Sequence, residues 1–368
     1  MDEYDGSAIT VLRGLEAVRR RPGMYIGDTE DGSAMHHMLW EVVGNGVGQH
    51  LAGHASYLRV AFHDDGAVSV EDDGEGIPVA SRSHDRAVTI LETVMTQLAS
   101  GSRFAPVDIA DRLWGPGLAV VNALSTRLVV EVCRDGRRHV QEYAAGEALG
   151  PVRDLGATDR RGTRITFTPD FSILRRRPWD RALVARRLRE LAALSPRLTT
   201  ILDDSAFRCP AGLADLVRFL ARGQPPLHDE PVRICGARGE VGVEAVLLWT
   251  GGTRTRVRGF VGRAPVRRGT HLDGLADGLF HAFVALDPAR FALVNRPAFR
   301  EVLRPGLVAA VHVRLAHPRF ESPPRDDLEN REVLTAVASV VEKQLSARLR
   351  ADCRLREALL ARMPSTAR

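Results

Sequence analysis

The spacing of apolar positions divides the first half of the chain into helices and short strands. Apolar residues recur at helical intervals in some stretches and alternate with polar residues in others. The predicted helices cover residues 9–20, 33–51, 87–99, 117–124 and 179–194. The predicted strands cover residues 57–63, 67–71, 128–134, 139–143 and 163–168. Residues 100–117 carry Gly, Pro and Asp without an apolar period, which is typical of a functional lid.

A second group of elements follows in the other half of the chain. The pattern predicts strands over 231–234, 241–249, 257–262 and 308–314, with helices from about 271 and over 330–350. Strands that are grouped after and between helices predict an α+β sandwich and argue against a βαβ nucleotide-binding fold. Because 368 residues exceed one typical domain, we predict two, covering residues 1–205 and 206–368.

The composition is that of an ordinary globular protein, with 44% hydrophobic and 26% charged residues. The sequence shows neither a bilayer-long apolar run nor a basic-then-apolar leader, so we expect a cytoplasmic protein without a membrane partner. The cysteines are widely spaced, which favours ordinary thiols over a metal site. They are Cys133, Cys209, Cys235 and Cys353.

The positive charge permits a DNA partner without requiring one. Lys and Arg total 51, Lys343 is the only lysine, and the net charge is +5. Arginines could contact DNA in the helix over 181–189 and in the second half of the chain, although solvated helix faces are the simpler explanation. The latter group comprises Arg254, Arg256, Arg258, Arg263, Arg267 and Arg268.

Three polar side chains on the helix over 33–51 are the first candidates for chemistry. His37, Glu41 and Asn45 follow one another at intervals of four residues and therefore share a helix face. A glycine-containing turn with two aspartates follows at 72–78, and a glycine-rich segment opens a helix at 115–117. An acid, an amide and glycine turns in this order indicate a nucleotide pocket, although the aspartate segment alone is more simply explained as an ordinary turn.

Longer motifs then reveal a family resemblance. They lie at residues 9–27, 36–38, 41–43, 72–78, 115–125, 162–163 and 268–272. In this order they resemble the ATPase region of the gyrase B subunits of bacterial type IIA topoisomerases. The resemblance implies a GHKL (Bergerat-type) ATPase α/β sandwich, followed by a ribosomal protein S5-like transducer domain with a left-handed crossover. The Toprim domain that follows in the family is expected to be absent.

The resemblance also implies roles for individual residues, with ATP and Mg²⁺ as cofactors. Asp72 would accept a hydrogen bond from the adenine amino group, and Thr163 would support the adenine end of the site. Glu41 would activate the attacking water, His37 would orient that acid, and Asn45 would be the magnesium ligand. The other nucleotide-binding positions would be Gly74, Gly76, Ile77, Pro78, Gly115 and Gly117.

Two further implied contacts depend on segments far from this pocket. Arg325 stands where the family has a lysine that contacts the γ-phosphate, and it is therefore grouped with the catalytic residues. Tyr4 lies in an N-terminal arm of about residues 1–14 that would reach across to a second protomer when ATP drives dimerisation.

The chain also departs from the family pattern within these motifs. Glycines at 44, 46 and 48 should soften the catalytic helix. The family pairs an acid at 49 with a base at 75, whereas this chain has Gln49 and Glu75, so we expect a negative group facing the nucleotide. Further departures are expected to weaken phosphate binding and domain closure. They are Arg112, Trp114, Pro116, Pro323 and Pro324.

Two functional hypotheses follow. The first is an ATP-binding, weakly ATP-hydrolysing gyrase-B-like module that forms a homodimer on nucleotide and cannot cleave DNA alone. The alternative is a degenerate, non-hydrolysing paralogue that acts as an interaction or regulatory partner of gyrase subunits.

Overall fold

The computed structural model describes residues 14–82, 85–98, 117–291, 306–321 and 327–361. The chain folds into two compact units. Within the described residues, the first unit comprises those up to 188 together with 198–207, and the second comprises 189–197 and those from 208 onward.

The first unit is built on a mixed β-sheet. Its strands are β1 (Tyr57–Phe62), β2 (Val68–Asp72), β5 (Ser125–Arg134), β6 (Arg137–Ala144), β7 (Glu147–Ala148), β8 (Arg153–Ala157), β9 (Gly162–Pro169), β10 (Thr199–Leu202) and β11 (Ser205–Phe207). Their order is β11-β10-β1-β2-β9-β5-β6-β7, with β8 also paired to β6. Strand β10 runs parallel to β1, and the other neighbours are antiparallel. A separate hairpin joins β3 (Ser81–Arg82) to β4 (Asp85–Thr89).

Helices accompany this sheet. They are α1 (Glu16–Arg20), α2 (Gly23–Ile26), α3 (Ser33–Leu51), α4 (Ile90–Thr96), α5 (Leu118–Ala123) and α6 (Arg181–Leu194), of which residues 189–194 belong to the second unit. The α3 helix packs against β1, β2 and β9. Met38, Leu39 and Val43 on this helix are almost fully buried. Burial of such apolar side chains is the main driving force for docking a helix on a sheet.

Most predicted elements of the first half are confirmed, and several boundaries are corrected. In the described part of the helix predicted over 9–20, the helix begins at Glu16, and residues 9–13 lie outside the described residues. The strand predicted from 128 begins at Ser125. The helix predicted over 87–99 begins at Ile90, because residues 85–89 form a strand and the Thr89 hydroxyl caps the helix by accepting the Glu92 N–H (3.0 Å). The helix predicted from 179 begins at Arg181. Asp180 accepts the Leu183 N–H there (2.8 Å), as an N-terminal cap does.

The second unit also has a sheet with helices. Its main strands are β12 (Val232–Arg238), β13 (Val241–Trp249), β14 (Arg256–Val261), β15 (Ala264–Pro265) and β17 (Leu307–Arg314), in the order β12-β13-β17-β14-β15. Two very short strands, β16 (Arg268–Gly269) and β18 (Asp327–Leu328), pair with each other. The helices are α7 (Leu213–Leu220), α8 (Thr270–Leu286), α9 (Pro288–Phe291), α10 (Arg331–Ala351) and α11 (Cys353–Leu360).

Two glycines set the close approach of α8 to α10. A Cβ on Gly274 would stand 2.6 Å from the Leu334 carbonyl oxygen, and one on Gly278 would stand 2.7 Å from that of Ala338. These distances are too short for any side chain, so glycine is required for the two helices to pack at this separation.

A search of the described part of the chain for membrane-spanning segments found no helix with the necessary length and hydropathy.

Candidate functional site

The α3 helix carries three of the predicted site residues at four-residue intervals. The Gly117 N–H, immediately before α5, donates to Glu41 Oε2 (2.9 Å). His37 Nδ1 lies 2.6 Å from the Ile26 carbonyl oxygen, so this nitrogen carries the proton and the ring is anchored by the main chain. The half-buried side chain of Asn45 makes no hydrogen bond to the residues that the structure describes. Helix α3 thus brings an acid, an imidazole and an amide to one surface.

Asp72 is the last residue of strand β2 and is only 4% exposed. Its Oδ1 accepts the Gly74 N–H (2.9 Å), and the carboxylate also accepts the backbone N–H of Thr163. Burial raises the pKa of the Asp72 carboxyl to about 6, because the two backbone hydrogen bonds offset only part of the desolvation and nearby Asp73 and Glu71 add like charge. A buried carboxylate fixed by main-chain donors is therefore present as a preformed acceptor at neutral pH.

The segment after Asp72 packs tightly against the neighbouring strands. Gly76 has a φ of +79°, and a Cβ there would stand 3.0 Å from the Cys133 carbonyl oxygen. The Ile77 N–H donates to the Thr163 hydroxyl oxygen (3.1 Å), which ties the segment to β9. Pro78 follows and is half-buried. The structure therefore brings Gly74, Gly76, Ile77 and Thr163 together around Asp72, and their role in nucleotide binding stays a prediction.

Gly46 decides how closely α3 approaches Asp72. A Cβ on Gly46 would stand 2.5 Å from Leu58 Cδ1 and 3.4 Å from Asp72 Cβ. Leu58 is fully buried and has little room to move. The glycine that the sequence marked as a source of helix softness is thus also a packing requirement between the helix and strand β1.

The structure gives Glu75 two partners that were not predicted, and whether it faces the nucleotide stays a prediction. Its side chain is exposed, and its carboxylate lies 3.3 Å from His54 Nδ1 and 4.0 Å from Arg134 Nη1, so it is directed to two basic groups. Arg134 also donates to the Gly76 carbonyl oxygen (2.8 Å). Gln49 Oε1 accepts the Glu75 main-chain N–H (3.1 Å). His54 and Arg134 were not predicted here, because nothing in their spacing relates either residue to the 72–78 segment.

Several predicted residues lie outside the described residues. They are Tyr4, Arg112, Trp114, Gly115, Pro116, Pro323, Pro324 and Arg325. Their predicted roles, and that of the 100–116 part of the lid, remain predictions. Among the described residues, no group of three or more His, Cys, Asp or Glu side chains could hold a metal ion.

The arginines of the second unit are partly engaged within that unit. Arg256 donates to the Leu220 carbonyl oxygen, and Arg258 lies 3.7 Å from Glu190. Arg268 lies 3.6 Å from Asp327 and remains exposed. These contacts explain part of the arginine content structurally, and DNA binding by this group stays a prediction.

Comparisons with known proteins agree with the two-unit architecture. A family model described as DNA gyrase B matches residues 212–368. Another, described as histidine kinase-, DNA gyrase B- and HSP90-like ATPase, matches residues 30–173. The 43K ATPase domain of Thermus thermophilus gyrase B, solved in complex with an aminocoumarin, has a TM-score of 0.76 and 34% identity, covering 97% of this chain and 95% of that chain.

Curated relatives extend the same likeness. The DNA gyrase B protein of Chlamydia pneumoniae is 36% identical over 365 residues, covering 93% of this chain and 45% of the relative. That of Thermotoga maritima is 35% identical over 383 residues, covering 100% of this chain and 60% of the relative. This chain thus spans about half the length of these relatives. The predicted GHKL ATPase fold is confirmed, and the second sheet domain is consistent with a transducer. The chain belongs to the gyrase B family of type II topoisomerases and carries its GHKL-type ATPase domain.

Proposed function

We propose that this chain binds ATP with Mg²⁺, hydrolyses it weakly, and forms a homodimer when nucleotide is bound. It would serve as the ATP-dependent module of a type II topoisomerase system, working with gyrase subunits and DNA and unable to cleave DNA alone. The single observation that carries this proposal is the buried Asp72 carboxylate, held by two main-chain donors.

The adenine end of the site rests on the chemistry of Asp72. An ionised carboxylate only accepts hydrogen bonds, so it suits the exocyclic amino group of adenine and disfavours a carbonyl oxygen at that position. Gly74 and Gly76 let the main chain approach closely, and Thr163 holds the Ile77 amide. Pro78 continues this wall of the site. Together these features support recognition of a purine that carries an amino group.

The phosphate end rests on α3 and on the start of α5. Asn45 offers an amide oxygen, a hard ligand of the kind that Mg²⁺ takes while it shares phosphate oxygens. Gly117 has a φ of +88°, and its N–H points to α3, where it meets Glu41. Glu41 is the proposed general base, His37 the residue that orients it, and Gly115 and Arg325 the proposed further phosphate contacts.

Dimerisation on nucleotide is proposed from the family membership. In this proposal the N-terminal arm with Tyr4 contacts the second protomer, and the second unit transmits closure. The cytoplasm is the proposed location.

One observation favours the alternative of a non-hydrolysing partner of gyrase. The Glu41 carboxylate, which must position water for hydrolysis, accepts the Gly117 amide in this structure. If Glu41 stayed hydrogen-bonded to that amide, the protein would bind nucleotide, but Glu41 would not activate water efficiently.

Phosphate release by the purified chain, compared with its Glu41→Ala variant, distinguishes the two functions. We expect the variant to retain binding of a non-hydrolysable ATP analogue and to lose the phosphate release of the parent protein. Equal release rates would remove the enzymatic function. Co-purification with a full-length gyrase B protein, combined with absent turnover, would support the alternative.

A further inference from the structure

The side chain of Gln49 connects the last turns of α3 to the segment that follows Asp72. Its Oε1 accepts the Glu75 N–H (3.1 Å) and lies 2.7 Å from the point where a Cβ on Gly74 would stand. Asp72 Oδ1 lies 2.8 Å from the same point. The amide oxygen of Gln49 and the carboxylate of Asp72 are therefore near neighbours, separated only by a glycine.

This contact ties the segment to α3. The Gly74 amide is taken by Asp72 itself and the Ile77 amide by Thr163, so neither bond reaches the helix. Gln49, by contrast, belongs to the helix that also carries Glu41 and Asn45. A side chain here therefore holds the 74–76 segment against the helix that carries the phosphate-end residues.

Charge matters at position 49 as well as geometry. A glutamate there could still accept the Glu75 N–H, but it would add a negative group beside a carboxylate that is already buried. The charged or titratable side chains around Asp72 include Glu71 and Asp73 next to it in the chain, Glu75 on the following segment, His54 after α3, and Arg134 on β5. Glu71 in turn contacts the Tyr57 hydroxyl and pairs with Arg160. His54 and Arg134 are both engaged by Glu75.

We propose that Gln49 is a positioning residue for base recognition: its neutral amide fixes the 74–76 segment on α3 without placing a second negative charge beside Asp72. This inference rests on the proposed function, in which Asp72 receives the adenine amino group. It also explains why the chain can lack the family's acid at 49 and base at 75. Glu75 pairs instead with His54 and Arg134, and the neutral Gln49 needs no basic partner.

Two substitutions separate the geometric role from the electrostatic one. Gln49→Met keeps the length of the side chain and removes the acceptor, so affinity for a non-hydrolysable ATP analogue should fall about fivefold at every pH. Gln49→Glu keeps the acceptor and adds charge, so affinity should fall near neutral pH and recover at higher pH. The midpoint of the pH dependence of affinity should therefore be higher in Gln49→Glu than in the parent protein, in which the pKa of Asp72 is about 6.

The experiment uses the full chain and titration calorimetry between acidic and alkaline pH. Gln97→Glu, on an exposed position after α4, is the matched control for an added charge and should behave as the parent protein does. Parent-like affinity and pH midpoint in both Gln49 variants would overturn the inference. An equal loss in both, with an unchanged midpoint, would show a purely structural role and would also overturn it.

Two measurements without nucleotide keep this test separate from the proposed function. Hydrogen exchange of the Glu75 amide should accelerate in Gln49→Met, and a carbon-detected NMR titration should show a higher Asp72 pKa in Gln49→Glu. If the parent protein bound no adenine nucleotide, the proposed function would fail. These two measurements would still support or overturn the positioning role.

Discussion

Replacing Asp72 by asparagine should stabilise the protein at neutral pH. The carboxyl is 4% exposed, and its burial raises its pKa from 3.8 to about 6. At about 1.4 kcal/mol for each pKa unit, ionised Asp72 costs the fold about 3 kcal/mol above pH 6. Asparagine removes this charge but adds an amide donor that lacks a designated partner, at a cost of about 1 kcal/mol. The expected net gain is about 1 to 2 kcal/mol at pH 7.5.

The sign of the pH dependence follows from the direction of the shift. Because the folded-state pKa of Asp72 is raised, its contribution to stability is largest below pH 3.8 and falls as pH rises through about 6. The difference between Asp72→Asn and the parent protein should therefore shrink to near zero at pH 4.5. Comparing the two proteins at each pH cancels the titration of all other groups.

Thermal unfolding of the full chain, followed by circular dichroism at pH 7.5 and pH 4.5, measures this effect. We expect the melting temperature of Asp72→Asn to rise by about 5 °C at pH 7.5. A lower melting temperature at pH 7.5, or a gain that is the same at both pH values, would refute the argument that burial controls this carboxyl.

The adjacent carboxylate supplies a control of opposite sign. Asp73 accepts two bonds from Ser56, through its N–H (2.7 Å) and hydroxyl (2.5 Å), and one from the Tyr57 N–H (2.9 Å). Burial acts to raise the pKa of Asp73, but these bonds outweigh it and the pKa is lowered. Its stabilisation is present above the unfolded-state pKa and is lost as pH falls through the folded-state pKa. Asp73→Asn should therefore destabilise the protein at pH 7.5 by about 1 to 2 kcal/mol.

Three more predictions come from glycines. Gly74→Ala should abolish binding of a non-hydrolysable ATP analogue in calorimetry, because its Cβ would meet Gln49 Oε1 at 2.7 Å and Asp72 Oδ1 at 2.8 Å; unchanged affinity would contradict the described turn. Gly46→Ala restores the family's alanine and gains about 1 kcal/mol of helix propensity. It should nevertheless lower the melting temperature, because the new Cβ would stand 2.5 Å from Leu58 Cδ1. A higher melting temperature would show that helix propensity outweighs this contact. Gly278→Val should destabilise the second unit by about 2 kcal/mol or more in urea unfolding, with nucleotide affinity retained; an unchanged midpoint would contradict the close α8–α10 contact.

The sequence predicted the helices and strands whose apolar pattern extends over enough neighbouring residues to be recognised. Helix α3 has a long apolar period and matches its predicted bounds at Ser33 and Leu51. The strands predicted over 128–134 and 139–143 are joined by a short turn, and the structure gives positive φ at both Asp135 and Gly136 in that turn. Where the signal was short, prediction failed: the four-residue helix α2 and strands β10 and β11 were not predicted. Elements this short depend on tertiary contacts more than on their own pattern.

Part of the candidate site also has a local signal. His37, Glu41 and Asn45 recur at helical spacing, so the sequence alone was enough to place them on one face of α3. Asp72 was grouped with them through its own motif and the family resemblance. The contacts of Glu75 with His54 and Arg134 were not predicted, because these partners come from separate segments of the chain. Likewise, the sequence treated Gly46 as a helix weakness, since only the positions of Leu58 and Asp72 show that the site leaves no room there.

Calorimetric titration of the full chain with a non-hydrolysable ATP analogue and Mg²⁺ at pH 7.5, alongside Asp72→Asn, tests the central claim most directly. The account predicts saturable binding by the parent protein and affinity at least about tenfold weaker in the variant, since a charged acceptor is lost. Equal affinity in the two proteins, or no binding of any adenine nucleotide by the parent, would contradict it.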